Sequence, residues 1–404
     1  MSPELVVTGM GVISAIGQGK DDCASALLQG KHAFDVMRRP GRQGVSAFIG
    51  AEIPQIAFPD KMRSQTFRAA SLSTQAAMVV LKEAWDEARL SDVNPDRVGL
   101  IVGGSNFQQR ELTQLHESFR ERPQFLKPTY ALSFMDSDLC GFCSAEFGIR
   151  GLAYTVGGAS ASGQLAIIQA AQAVMGGQVD VCIALGALMD VSHWECQGFR
   201  ALGAMGSDRY ANEPALASRP FDRDSDGFIF GESCGALIIE DRKTSERREI
   251  QPYAVLRGWG LAMDGNRNPD PSLAGEVRVI QSALQSAAWS ASQVDYVNPH
   301  GTGSVLGDAV ELRALRECDL THVHINATKS LIGHGLSAAG TVEVIATLLQ
   351  MRLERLHPTR NLVNPVDADF HWIREPTIHR IEHALTLSFG FGGINTAVCW
   401  QSDR

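Results

Sequence analysis

Five short segments of the 404-residue chain carry residue types that can do chemistry at a single point. The first is Gly157-Gly158-Ala159-Ser160-Ala161-Ser162-Gly163, followed directly by an apolar helical stretch that runs to Met175. Small residues before a helix allow a sharp turn, and the helix N-terminus aims backbone N–H groups at whatever sits there. A nucleophile or an oxyanion suits such a point; the plainer reading is that Ser160 or Ser162 caps the helix. The second segment is Asn298-Pro299-His300-Gly301-Thr302-Gly303-Ser304, with Asp308 and Glu311 on the helix beyond. The third is Thr328-Lys329-Ser330-Leu331-Ile332-Gly333-His334, with Glu343 on the helix that follows. A lone histidine is ordinarily structural, and this chain has eleven. These two differ because each ends a strand and precedes a glycine, which leaves the loop open to a ligand. The fourth segment, Leu387 to Asn395, holds Gly390-Phe391-Gly392-Gly393 between two strands, and the fifth runs from Arg219 to Gly235.

Elements of an α/β fold must hold these segments. Short β-branched runs are expected as strands at Glu4–Thr8, Val98–Val102, Val179–Leu185, Ala236–Glu240, Tyr253–Trp259, Tyr296–Asn298, Ile325–Ala327, Leu385–Phe389 and Thr396–Trp400. They alternate with helical stretches at Ser71–Ala88, Ser162–Met175, Gly275–Ala288, Gly307–Cys318 and Gly340–Leu353. That alternation places helices over the faces of sheets. A polar seam near Glu240–Ile250 divides the chain into two similar halves, residues 1–245 and 246–404. Gly9-Met10-Gly11 lacks the third glycine of a dinucleotide loop and reads as a tight turn. Ser105–Pro128, rich in Gln, Glu and Arg, reads as an irregular surface excursion.

Composition narrows the class. Hydrophobic residues make up 44% and charged residues 20%, which fits a chain with a large buried core. No apolar run reaches the roughly 18 residues of a membrane helix, and Met1-Ser2-Pro3-Glu4 does not open like a signal peptide. The expectation is a cytoplasmic protein with no membrane partner. The net charge of −9 disfavours nucleic acid as a partner. Of the eight cysteines only Cys140 and Cys143 have metal or redox spacing. They lack the second pair of a zinc site and read as core residues. His322 and His324 alternate along a strand without a thiol or acidic companion, so no metal site is indicated.

Taken together and in this order, the five segments make the chain resemble the β-ketoacyl synthases of the thiolase fold. The correspondence runs collinearly from Val6-Val7-Thr8-Gly9-Met10-Gly11 to the last strand. It implies a thiolase-like duplicated αβαβα five-layer sandwich, and a homodimer. It implies catalytic roles for Ser160, His300, His334 and Lys329, with Asp308, Glu311 and Glu343 as a supporting network. Phe391 matches a gating phenylalanine whose N–H joins an oxyanion hole, and Thr302 and Ser304 match contacts to a 4'-phosphopantetheine arm. The partner so implied is an acidic acyl carrier protein, with no tightly bound cofactor. Lys61, Arg63 and Arg68 are a candidate docking patch; Arg110, Arg120, Arg122 and Lys127 lie in the polar excursion.

In that family a cysteine stands where this chain has Ser160. A thiol with a pKa of about 8.5 accepts an acyl group from a thioester, and a helix N-terminus lowers that value further. A hydroxyl ionises far less readily and needs a dedicated base. Decarboxylation of a malonyl thioester needs no sulfur, only donors for the enolate oxygen, which the two histidines can supply. The pattern therefore resembles the free-standing ketosynthase-like decarboxylases of polyketide β-branching cassettes, which turn a malonyl carrier protein into an acetyl carrier protein. Other readings stay open: a serine-dependent acyltransferase, a non-catalytic ketosynthase partner, or a condensing synthase with its cysteine replaced. Pro299 and Ser233-Cys234 also depart from the usual residues beside their motifs, without removing a donor.

Overall fold

The computed structural model of the chain describes residues 3–44, 46–57, 70–267 and 269–403. Its first strand, β1 (Leu5–Ser14), is buried along its whole length. Gly9-Met10-Gly11 is thus the middle of a strand rather than the tight turn expected. The cause is α1 (Leu72–Glu87), which lies across it: a Cβ at Gly9 would stand 2.5 Å from Ala84 O, and one at Gly11 1.9 Å from Val80 O. Only glycine lets the helix come this close.

The first half continues with β2 (Val98–Gly103), β3 (Ala153–Val156), α2 (Ser162–Met175), β4 (Val181–Gly186) and β5 (Ser233–Asp241). These strands lie in the order β3-β2-β4-β5-β1, two parallel pairings followed by two antiparallel ones. The second half supplies β6 (Ala254–Met263), α3 (Leu273–Ala287), β7 (Tyr296–Asn298), α4 (Val305–Glu317), β8 (His324–Ile325), α5 (Ala339–Leu353), β9 (His383–Gly390) and β10 (Ile394–Ser402). Its order is β8-β7-β9-β10-β6, with the same succession of parallel and antiparallel neighbours. β1 and β6 pair antiparallel where Val6 faces Val255, so the two sheets join edge to edge.

The repeat extends to single residues. Register shifts occur between Val7 and Gly9 in the β1–β5 pairing and between Leu256 and Gly258 in the β6–β10 pairing. Gly258 and Gly260 do for α3 what Gly9 and Gly11 do for α1, with Cβ positions 2.4 Å from Ala287 N and 2.2 Å from Val279 O. Between the sheets run α2 and α5, buried over most of their length. They cross on glycine as well: a Cβ at Gly163 would meet Thr341 N at 2.6 Å, and one at Gly340 would meet Gln164 N at 2.9 Å. With α1 outside one sheet and α3 and α4 outside the other, the architecture is the thiolase-like αβαβα sandwich. Its central crossing brings two helix N-termini side by side, and the candidate site is built there.

Two further details depart from expectation. Ser105–Pro128 is not irregular: Gln109–Phe119 is a helix, although it buries no residue and stays at the surface. β3 was not anticipated, because its partly exposed edge position gives Ala153–Val156 no buried alternation to read. Cys140 and Cys143 pack on the helix Ser137–Phe147, and all eight cysteines are free and buried. Among the described residues, no helix is long and apolar enough to cross a membrane.

Candidate active site

The turn before α2 separates the two serines by function. Ser162 Oγ accepts from Gly158 N–H (2.8 Å) and donates to Ala159 O (2.7 Å), so it holds the turn as a local cap does. Ala159 has φ +47°, a conformation costly for a residue with a side chain, at the position before Ser160. Ser160 is thereby left free to face inward, and its Oγ lies 2.9 Å from His334 Nε2. Its carbonyl accepts from Ser388 Oγ on β9 (3.0 Å), which ties the turn to the second half of the chain.

His300 lies two residues beyond the end of β7 and is held through its backbone. Its N–H donates to Glu311 Oε1 (2.6 Å) and the next N–H, of Gly301, to Oε2 (2.8 Å). Asp308 accepts from the N–H groups of Thr302 and Gly303 (both 3.1 Å) and of Phe221 (2.5 Å). Lys329 Nζ donates both to His300 O and to Glu343 Oε1, each at 2.5 Å. The acids and the lysine therefore shape the histidine loop, and Asp308 and Glu311 also stand in the wall of the cavity beside it. The two imidazole rings stand edge to face, 5.5 Å apart, with Phe228 packed on His334 (5.2 Å) and Phe389 on His300 (5.6 Å).

Burial, followed by the Lys329 charge, holds His334 well below the usual imidazole value. The same two causes act on His300, with His334 adding to them. Both rings are therefore neutral near pH 7. Among the carboxyls, burial pushes Asp308 and Glu343 up to about 7 and Glu311 up to about 8, against the pull of backbone donors or Lys329.

One cavity of about 300 Å³ collects Ser160, His300, His334, Thr302, Ser304 and Phe391 in its lining. Ser304 caps α4 by accepting from Gly307 N–H (3.5 Å), and Thr302 Oγ1 accepts from Ser304 N–H (3.1 Å). Neither acceptor role uses the hydroxyl proton, so both side chains can still donate into the cavity. Phe391 is 39% exposed and its ring lies 6.4 Å from that of Phe199. Among the described residues, no group of three or more His, Cys, Asp or Glu is placed to hold a metal ion.

Lys61, Arg63 and Arg68 lie outside the described residues. Arg110 leaves the surface cluster to which the sequence assigned it: it is 11% exposed and bound to Asp190 at 2.8 Å. Phe228, Ser388 and Phe389, which lie in the fifth and fourth segments without an assigned role, stand in or against this site, and so does Glu276, which no segment included. A legible signal existed for Glu276, a lone acid on the apolar stripe Val279, Ile280, Ala283 and Ala287 of α3.

Residues 2–245 match the model of the β-ketoacyl synthase N-terminal domain, and residues 253–363 that of the β-ketoacyl synthase C-terminal domain. The polyketide biosynthesis malonyl-ACP decarboxylase PksF of Bacillus subtilis (strain 168) is 61% identical over 401 residues, spanning 99% of this chain and 97% of that protein. A β-ketoacyl synthase crystal structure from Burkholderia phymatum STM815 superposes with a TM-score of 0.89 at 27% identity, covering 100% of both chains. A type II polyketide ketosynthase solved with its acyl carrier protein gives a TM-score of 0.87 at 25% identity, again covering 100% of both. With both domain models of the family matched in order along the chain, the chain belongs to the β-ketoacyl synthase family.

Proposed function

We propose that this chain decarboxylates a malonyl group borne as a thioester on an acyl carrier protein and releases the acetyl thioester without condensation. The observation that carries this reading is a hydroxyl, Ser160 Oγ, hydrogen-bonded to His334 inside an otherwise complete histidine–histidine–lysine site. The 61% identical relative bearing the malonyl-ACP decarboxylase name supports it.

The chemistry follows from the donors. Among the described residues nothing accepts from His300 Nδ1 or His334 Nδ1, both buried, so the donating tautomer of each ring carries its proton on Nε2. In His334 that proton faces Ser160 Oγ. A thioester oxygen placed between the rings receives the two Nε2–H groups. The bond from the malonyl α-carbon to its carboxylate breaks, CO2 leaves, and the electron pair becomes the enolate, whose negative oxygen both donors stabilise. Each such donor is worth about 3–4 kcal/mol in the transition state. With no acyl group on Ser160 the enolate carbon has no electrophile to attack; it takes a proton from water, and an acetyl thioester results. Lys329, Glu343, Glu311 and Asp308 position His300 and its loop, and Phe391 gates the cavity. Thr302 and Ser304 donate to the arm that delivers the thioester.

The surroundings belong to the same proposal. Docking of an acidic carrier falls to Lys61, Arg63 and Arg68, and the cell compartment is the cytoplasm. We assign the homodimer to the β3 edge, where among the described residues the strand has a partner on one side only; Phe125, Leu132, Phe134 and Met135, earlier in the chain, are exposed. The acetyl carrier product would feed a β-branching step.

Intact-protein mass spectrometry of malonyl-loaded carrier protein tests the reaction. The expected outcome is loss of CO2 from the carrier within minutes and no mass gain on the enzyme, with or without an acyl-carrier acceptor. An acyl adduct on Ser160 instead would identify a transferase. The pH profile is a second test. Both histidines titrate well below their usual value, so neither should contribute a limb near ~6.5; any limb in that range belongs to Asp308 or Glu343, at about 7, and should move in Asp308→Asn or Glu343→Gln. An acid limb near ~6.5 that neither variant moves would mean that a ring titrates as if exposed.

A further inference from the structure

The cavity wall carries four carboxyls: Asp264, Glu276, Asp308 and Glu311. Three of them are held by protein donors. Asp264 accepts from Asn395 Nδ2 (2.8 Å), Asp308 accepts three backbone N–H groups and Glu311 two. Glu276 is the exception. It is 1% exposed, and its Oε2 is buried without a hydrogen-bond partner among the described residues. It stands on the stripe of α3 that otherwise buries Val279, Ile280 and Ala283, where an aliphatic side chain would pack without this penalty.

A lone buried acid of this kind destabilises the free protein, and its retention in a cavity wall calls for a ligand that completes it. Burial and the neighbouring Glu311, Asp264 and Asp308 push Glu276 up to about 10, so it is a neutral carboxylic acid at pH 7 with one O–H to donate. The matching ligand group is an uncharged acceptor. A carboxylate is disfavoured beside three further acids, whereas an amide carbonyl is not. The reacting end of the cavity is occupied by Ser160, His300 and His334, which leaves the chain that carries the thioester to lie against α3 and α4.

We infer that Glu276 is a binding residue for the carrier's pantetheine arm, donating its carboxyl O–H to an amide carbonyl of that arm in the cavity that Thr302 and Ser304 also line. This rests on the carrier-thioester reading and adds to it a recognition element that an arm-free thioester cannot use.

Steady-state decarboxylation by the full chain separates the possibilities. The substrates are malonyl-pantetheine, which has the arm amides, and malonyl-S-ethyl thioester, which has none. Glu276→Leu is expected to raise KM for malonyl-pantetheine about tenfold, as loss of one hydrogen bond would. KM for the S-ethyl thioester should stay within about twofold. Glu276→Gln, whose amide N–H still donates, should remain within about threefold of the parent on both. The melting temperature of Glu276→Leu should rise, which separates a binding loss from misfolding. Equal changes on both substrates, no change on either, or a fall in kcat at constant KM would overturn the assignment; the last would move Glu276 into the chemistry. If the parent enzyme decarboxylates neither thioester, the functional reading fails by itself. Calorimetric titration with pantetheine then still reads the contact, as tenfold weaker binding to Glu276→Leu or, against it, equal binding.

Discussion

His300→Ala is expected to slow decarboxylation of malonyl-carrier protein by about 10²- to 10³-fold in kcat, with KM changed far less. The imidazole is one of two donors aimed at the position where negative charge develops, and it acts in the transition state rather than on the bound ground state. At roughly 1.4 kcal/mol per factor of ten, the ~3–4 kcal/mol carried by one donor gives this range. Structural collapse is not the expected cause, because the loop is held by backbone groups. His300 N–H on Glu311 and His300 O on Lys329 Nζ persist with any side chain at this position. A single-turnover assay with malonyl-carrier protein, read as CO2 release, measures the effect free of product release. A loss below about tenfold would mean that the ring is not an enolate donor.

Ser160→Cys should produce a new activity rather than a loss. Mixed with an acyl-carrier donor, the variant is expected to gain one acyl group in mass, and with malonyl-carrier protein present to form a β-ketoacyl product. The physical basis is the ionisation of the group at this turn. A thiol near ~8.5, lowered by the N-terminus of α2 and the adjacent His334, is a fair thiolate at pH 7, whereas a hydroxyl is not. The background is clean, since all eight native cysteines are buried and free. Burial drives those with the largest shifts far from thiolate form; Cys196 and Cys234, for example, are pushed up to about 12. Absence of an adduct on the variant would show that the cavity wall, and not the missing sulfur, excludes the acyl chain.

Much of the site was legible before any coordinates. Ser160, His300, Lys329, His334 and Phe391 stand in short motifs to which the family resemblance assigns the site, and the structure gathers them into and around one cavity. The chain's periodicity also located helices such as Ser162–Met175 and a strand such as Tyr296–Asn298, because local hydrophobic pattern and small-residue turns are properties of neighbours in sequence.

Other features were closed to that reading, since they depend on residues far apart in the chain. Gly9 and Gly11 looked like a turn until α1 was seen lying across them, and β3 had no alternation to betray it. Arg110 resembled a free surface charge until Asp190, 80 residues away, was found against it. As cap candidates the two serines of the first segment are equivalent, and only the resemblance separates them; the fold gives Ser162 to the turn and sets Ser160 against His334, 174 residues on. In the sequence Glu276 is one acid among many; the fold buries it in the cavity wall and leaves one oxygen without a partner among the described residues. By itself, then, the sequence determined the chemical types present, their order and the local elements that carry them. Their contacts, desolvation and spare hydrogen-bonding capacity were decided by the tertiary structure, because each of these is set by what packs against a group from elsewhere in the chain.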